Sequence, residues 1–458
     1  MQKTFRIYHT NDIHSHFQHW SQIAAYLQDG KQRCRLQNKP FLQFDIGDHL
    51  DRFHPMTEGS AGRGNVRLLN EAGYDAITIG NNEGITLPKS QLEHLYDDAN
   101  FPVLVANLFD DNGQRPRKMK PYELFSLENG VTVAAIGITT RFKAFYEPLG
   151  WQIRDPLDML SDLIEEVRSQ ADVVVLLSHM GYFIDQQIAR DFEGIDIILG
   201  GHTHHLLKQG RNVKGTTIIQ AGKFGHYLGE TEVTYDTETK QIVACEANCV
   251  LIEHYRSDIE TESLLKELTL EGQAELQVPV AELQKPLSVS WFEESEFANL
   301  LAEALKEWCE ADLGMANAGI VLESLPKGPV SKEDLHRICP HPINPCKLIL
   351  TGSELREVAR QSLTTEMKHL EIKGLGFRGK VLGVMAYSGL EMETKDGRVR
   401  SIRINGEPLQ SKSEYEVATL DMYTFGKIFP GFTEKKKKYF LPEMLRDLLA
   451  WKLSRLQH

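Results

Sequence analysis

The chain opens on alternation. Phe5 and Ile7 are apolar in an otherwise polar stretch, and the run that follows, Tyr8-His9-Thr10-Asn11-Asp12-Ile13-His14-Ser15-His16, turns polar at once. A period of two breaking into Asn and Asp predicts a short strand ending in a loop, with Asp12 and His14 at its C-terminal end. The same pattern recurs down the chain. Residues 41–46 precede Gly47-Asp48, residues 74–79 precede Gly80-Asn81-Asn82-Glu83, residues 173–177 precede Ser178-His179, and residues 195–199 precede Gly200-Gly201-His202-Thr203-His204. Residues 131–138 predict one more buried strand. Amphipathic helices fall between, clearest over 156–170, where Leu157, Leu160, Leu163, Ile164 and Val167 recur at helical spacing.

Strand-like runs at 216–220 and 229–235 follow without intervening helices, which predicts a mixed sheet in an α/β domain spanning residues 1–255. Residues 256–280, rich in Glu and Leu, predict a linking helix. Pro279 and Pro286 then punctuate the start of a second domain, 281–458, with helices near 296–310 and 353–363 and strands around 389–405 and 415–420. The run Glu434-Lys435-Lys436-Lys437-Lys438 reads as a solvated loop.

Composition narrows the function classes. A formal net charge of -13 over 458 residues argues against a general nucleic-acid binder, which needs a basic footprint. A metal centre can still reverse the field inside one cleft and admit a small anion. No apolar run approaches the length of a membrane span. The first residues run straight into a strand, which leaves no room for a signal peptide. The 6 cysteines lack the spacing of a disulfide framework, so reduced thiols and a cytoplasmic location are expected.

The chemistry lies at the strand ends. In open α/β sheets ligands bind at the carboxyl ends of the strands. Asp12/His14, Asp48, Asn81, His179 and His202/His204 all fall there, and most of the 17 histidines precede residue 256. An Asp-x-His pair offers one hard oxygen and one borderline nitrogen, a combination suited to a divalent ion.

The ordered series Asp-x-His, Gly-Asp, Gly-Asn-x-Glu, Ser-His and Gly-His-Thr-His resembles the calcineurin-like metallophosphoesterase superfamily. Within it, His9-Thr10-Asn11-Asp12-Ile13-His14 is similar to the two-domain 5′-nucleotidase/2′,3′-cyclic-nucleotide phosphodiesterase family. Later stretches resemble that family's C-terminal signatures: Glu294-Ser295 with Asn299-Leu300, Ala316-Asn317-Ala318-Gly319-Ile320, Asn344-Pro345, and Leu350-Thr351-Gly352-Ser353-Glu354-Leu355. The resemblance implies a four-layer α/β/β/α sandwich followed by an α/β 5′-nucleotidase-like, substrate-binding domain. It further implies two divalent ions (manganese, zinc, iron or cobalt). One would be held by Asp12, His14 and His204, the other by Asn81, His179 and His202, with Asp48 bridging. Two such ions about 3.5 Å apart would acidify a bridging water, and the hydroxide would attack phosphorus in a small phosphorylated substrate such as a nucleotide. Carboxylates commonly orient ligating histidines, and Asp45, Glu83 and Asp196 are candidates.

The sequence departs from the family at two places. Asn82 and Ile85 stand where the family carries a His–Asp dyad that assists the transition state and leaving group. Asn82 can still donate to a phosphoryl oxygen but cannot act as a general acid. His49 and His54 are possible stand-ins, or plain loop histidines. In the second domain Glu293 and Val321 occupy positions of phosphate-clamping arginines, and no Gly-Gly-Asp follows Tyr423. The resemblance places substrate contacts at Asn317 and Gly319, with His341 and Tyr423 where the family stacks a nucleobase. Arg52, Arg63, Arg67 and Arg141 are alternative phosphate contacts. Two readings follow: a metal-dependent phosphoesterase, or a weakly active or inactive homologue whose metals bind a phosphorylated ligand.

Overall fold

In the first strand, Gln2–Thr10, alternation sorts the side chains to two faces. Phe5 and Ile7 enter the core between two sheets. Tyr8 faces the other way, its ring 6.3 Å from Tyr26 on the helix Trp20–Leu36. The computed structural model describes residues 1–395 and 397–456, and the chain divides into two units, Met1–Gly272 and Gln273–His458.

In the first unit a seven-stranded sheet runs in the order Gln241–Leu251, Tyr227–Asp236, Gln2–Thr10, Phe41–Asp45, Ala76–Ile77, Val103–Leu104, Met119–Lys120. It is mixed: the first strand lies antiparallel to Tyr227–Asp236 and parallel to Phe41–Asp45. A six-stranded sheet stacks on it in the order Arg211–Val213, Thr216–Ile219, Ile197–Gly200, Val173–His179, Thr132–Thr139, Tyr122–Ser126. The run Val173–His179 is apolar on both faces because both are covered. Val173, Val175 and Leu177 fill the space between the sheets. Val174 and Leu176 meet Leu160, Leu163, Ile164, Val167 and Ile188 of the helices Leu160–Arg168 and Tyr182–Asp191. The result is the four-layer α/β/β/α sandwich. Each such buried side chain stabilises by about 1.5–3 kcal/mol, so the loops at the sheet ends hang from a rigid frame.

Several expected elements differ from those observed. The helix expected over 156–170 is a 3₁₀ turn, Pro156–Asp158, followed by Leu160–Arg168. Asp155 accepts from the Leu157 amide and starts the turn, and the α-helix begins only after it. The strands around 389–405 form a hairpin, Leu390–Lys395 with Arg398–Ile404. The lysine run is not a loop throughout: Lys437–Tyr439 pairs antiparallel with Cys346–Leu348 at a sheet edge. Lysines suit an edge strand because their charge discourages further pairing.

The second unit is built on a five-stranded sheet in the order Met385–Ser388, Leu313–Asn317, Glu414–Leu420, Pro345–Thr351, Lys437–Tyr439. The helix Glu296–Trp308 buries Phe297, Leu301, Ala304 and Leu305. It lies so close to the sheet that a Cβ on Gly314 would come within 1.9 Å of the Ala302 carbonyl. The helix Ile259–Glu275 spans the division between the units. Its Gly272 packs on the first unit, where a Cβ would stand 2.6 Å from the Met56 Cα, and Glu267 and Glu271 pair with Arg67.

Candidate metal centre

The parallel register of the first two strands brings their following loops side by side. Thr10 lies opposite Asp45, and hydrogen bonding continues past the strands: Asp12 N donates to Gly47 O at 3.0 Å and His14 N to Asp48 O at 2.7 Å. The price is backbone strain. Asp12 (φ 52°), His14 (51°), Asp48 (50°), His202 (73°) and His204 (58°) all occupy the left-handed region, which is uncommon for residues with a Cβ and clusters at functional sites. Gly80 permits the closest approach, since a Cβ there would lie 2.1 Å from Asp48 Oδ1.

Five of the expected ligands converge directly. Donor atoms of Asp12, His14 and His204 lie within 4.8 Å of one another, as do those of Asp12, Asp48 and His179. His14 Nε2 and His204 Nε2 are 3.0 Å apart. Asp48 Oδ2 is 3.4 Å from His179 Nε2 and 3.6 Å from His14 Nε2, so it faces both groups. His202 joins through rings, its centroid 5.4 Å from that of His179. Its Nδ1 is 2.9 Å from Asn81 Oδ1.

The surroundings orient these donors. His179 Nδ1 donates to the Ile46 carbonyl at 2.6 Å, which turns Nε2 toward Asp12 and Asp48. That buried Nε2 has no hydrogen-bond partner, as expected of an atom reserved for an ion. The mixed nitrogen and oxygen set suits a divalent transition metal. Glu83 receives the amides of Asp48, Leu50 and Gly80 at 3.0, 2.9 and 2.8 Å and so clamps the Asp48 loop.

The electrostatics favour a cation. Burial pushes against charge on His14, yet Asp12 and Asp51 raise it to about 10. Burial likewise opposes charge on His179, and Asp48 and Asp12 raise it to about 9. For Asp12, burial is outweighed by His14 and His204, which hold the carboxyl well below its usual range. His202 goes the other way, to about 4, through burial and the charge of His179.

Of the proposed orienting carboxylates, only Glu83 touches the centre, and it binds backbone amides rather than an imidazole. Asp45 receives Thr10 Oγ1 and the Gly47 amide. Asp196 binds Arg168 and the Val174 amide at the start of its strand pair. The contacts to imidazole come from elsewhere. Asp51 Oδ2 stands 3.5 Å from His14 Nδ1, and the Asn82 amide meets the same nitrogen at 2.6 Å. Asn11 Nδ2 donates to Asp12 Oδ2 at 2.7 Å. Asp51 and Asn11 had a faint signal, since each lies within three positions of a ligand.

Other candidates are engaged elsewhere. His49 is buried with Nδ1 near the Asn65 amide, and His54 caps a helix by accepting from Met56 N. Arg52 pairs with Glu58, Arg67 with Glu267 and Glu271, and Arg141 with Asp155. Arg63 is exposed.

In the second unit the expected substrate contacts lie in the interior. Asn317, His341 and Tyr423 are each 0% exposed. Tyr423 donates to Asn317 Oδ1 at 2.7 Å, and Asn317 Nδ2 donates to Leu382 O at 2.7 Å. His341 Nε2 donates to Ile320 O, its Nδ1 accepts from Arg378 N, and its ring stacks on Phe377 at 5.3 Å and 6°. Gly319 admits no Cβ, which would meet Val381 O at 1.9 Å. Asn317, Gly319 and His341 meet Leu382, Val381 and Phe377, and Tyr423 packs on Phe429, so all four make internal contacts.

Comparison with known proteins agrees with this geometry. Residues 5–206 match the family described as calcineurin-like phosphoesterase, and residues 274–433 match the 5'-nucleotidase C-terminal domain. The metallophosphoesterase YunD of Bacillus subtilis (strain 168) is 48% identical over 99% of this chain and 100% of its own length. This chain belongs to the two-domain calcineurin-like metallophosphoesterases. The metallophosphoesterase fold recurs in the NAD nucleotidase of Haemophilus influenzae, with a TM-score of 0.70 and 17% identity over 100% of this chain and 97% of the other. A 5'-nucleotidase of Vibrio cholerae is 23% identical over 90% of this chain and 83% of its own. As a member of this family the protein is a metal-dependent hydrolase of phosphate esters.

Proposed function

We propose that the protein holds two divalent ions, bridged by Asp48, and hydrolyses small phosphorylated compounds of the nucleotide class. The observation that carries this reading is the convergence of Asp12, His14, Asp48, His179 and His204 from four separate loops. Bound ions there supply Lewis acidity to phosphoryl oxygens and bring water near its deprotonation point at neutral pH.

The chain's own residues do the rest. Ile46 O and Asn81 hold the His179 and His202 rings, and Asn82 and Asp51 hold His14. Asn82 therefore acts as a positioning residue for His14, in place of the expected role as donor to phosphate. No general acid occupies the Asn82 or Ile85 position, so departure of the leaving oxygen is unassisted there and rates should depend steeply on leaving-group acidity. The relatives named 5'-nucleotidase support a nucleotide-like substrate. The six unpaired cysteines support a reducing, cytoplasmic location, and the described residues include no helix long and apolar enough to cross a membrane.

The test is turnover of a nitrophenyl phosphate, a bis-nitrophenyl phosphodiester and a nucleotide panel with manganese, zinc and cobalt in turn. Turnover that His204→Ala abolishes supports the reading. The buried second-unit residues favour one alternative, a metal-containing ligand-binding homologue. Two tightly held ions with no turnover of any ester would establish that alternative.

A further inference from the structure

Two phenyl rings stand against the ligand cluster, and the metal centre's own architecture does not require either. Phe224 presents its ring edge-on to His14, with centroids 6.0 Å apart. Its placement is built rather than incidental. Ala221 N donates to Asn11 Oδ1 at 2.9 Å, Asn11 Nδ2 donates to Gly222 O at 2.8 Å, and Phe224 N donates to Asp12 O at 2.8 Å. Residues 221–224 are thus stapled to the Asp12 loop. The staple holds Phe224 at φ 61°, an outlier for a bulky side chain. His16 backs the ring at 3.8 Å, with Phe53 behind His16 at 4.8 Å, and the exposed Lys223 ammonium lies 4.4 Å from the Phe224 centroid.

The second ring belongs to Phe142, 39% exposed and 5.5 Å from the His202 ring. Its backbone is anchored, because its carbonyl accepts the amides of Phe145 and Tyr146 at the start of a short helix. The phenyl is thus part-exposed beside the expected ligand His202, on a backbone held in place. With His341 and Tyr423 sealed inside the second unit, no stacking surface remains at those positions.

We propose that Phe224 and Phe142 form an aromatic recognition surface within the metallophosphoesterase unit itself, selecting phosphoesters that carry a planar aromatic group. This rests on the phosphoesterase reading above and adds its substrate class. Lys223 adds attraction for an anionic substrate.

The test compares binding of phenylphosphonate and methylphosphonate, which cannot be hydrolysed, to the full-length, manganese-supplemented protein by calorimetry. Phenylphosphonate should bind the wild type about tenfold more tightly. In Phe142→Ala, an exposed position, and in Phe224→Gly, where glycine relieves the left-handed φ, that preference should fall to about threefold or less. The melting temperature of Phe142→Ala should be unchanged, and binding to Phe224→Gly is measured well below its own melting temperature. For nitrophenyl phosphate, KM should rise in both variants with little change in kcat. Equal affinity for the two phosphonates in the wild type, or a preference kept in both variants, overturns the aromatic surface even if esters turn over. Absence of both phosphonate binding and ester turnover overturns this proposal and the phosphoesterase reading together.

Discussion

The loops around Asp48 and the interior around His341 both gather polar side chains at strand ends, but they treat them oppositely. Around His341 every ring nitrogen, amide and hydroxyl has a partner: Ile320 O and Arg378 N for His341, Leu382 O for Asn317, and Asn317 for Tyr423. Around Asp48 the backbone is strained at five of the expected ligand positions and His179 Nε2 has no hydrogen-bond partner. Three carboxylates, of Asp12, Asp48 and Asp51, and several imidazoles crowd together there. A satisfied polar cluster stabilises its own fold, whereas a strained and unsatisfied one awaits a ligand. Motif resemblance alone does not separate the two; hydrogen-bond satisfaction does.

The sharpest way to break this contrast is Asp48→Asn. The substitution keeps the shape and removes the charge that faces both His14 and His179. It should lower the bound metal content and reduce kcat/KM by about a hundred- to a thousandfold. Metal analysis and nitrophenyl phosphate turnover check this, and full metal content with normal turnover would remove Asp48 from the centre.

A smaller effect is expected from Glu83→Gln. Glutamine has one acceptor oxygen for three amides and brings an NH₂ group where an acceptor is needed. Metal affinity, measured by chelator competition, should weaken by about 10- to 100-fold while the site persists. Unchanged affinity would mean that the loop holds Asp48 without the clamp.

The smallest effect should come from the second unit. Burial lowers His341 to about 3. The unfolded chain takes up that proton near pH 6.5 and the folded chain does not, so the unfolded state binds more protons between those values. The resulting stability is present above pH 6.5 and is lost progressively as pH falls toward 3. His341→Gln cannot protonate, so its urea midpoint should fall less than the wild type's between pH 7 and pH 4.5. The pull of His9 and His49, also held near 3, cancels in that difference. Metal affinity and turnover should not change. Loss of turnover in His341→Gln would place His341 in the machinery after all.

Much of the first unit was legible from the chain alone. A period of two marks a strand and a polar break marks its end, so the strand-end positions of Asp12, His14, Asp48, Asn81, His179, His202 and His204 could be picked out in order. The lysine strand Lys437–Tyr439 was not legible, because charge hid an edge position that only pairing with Cys346–Leu348 reveals. Nor were the roles of Asp51, Asn11 and Ile46 O, since these depend on which loops touch.

Local sequence, then, determined which residues stand at strand ends and what donor atoms they carry, because strand period and turn chemistry act over a few positions. Tertiary structure decided which nitrogen of each imidazole faces the centre, that Phe224 is stapled beside His14, and that Phe377 stacks on His341. Those outcomes depend on contacts between segments distant in the chain, and short-range periodicity carries no record of them.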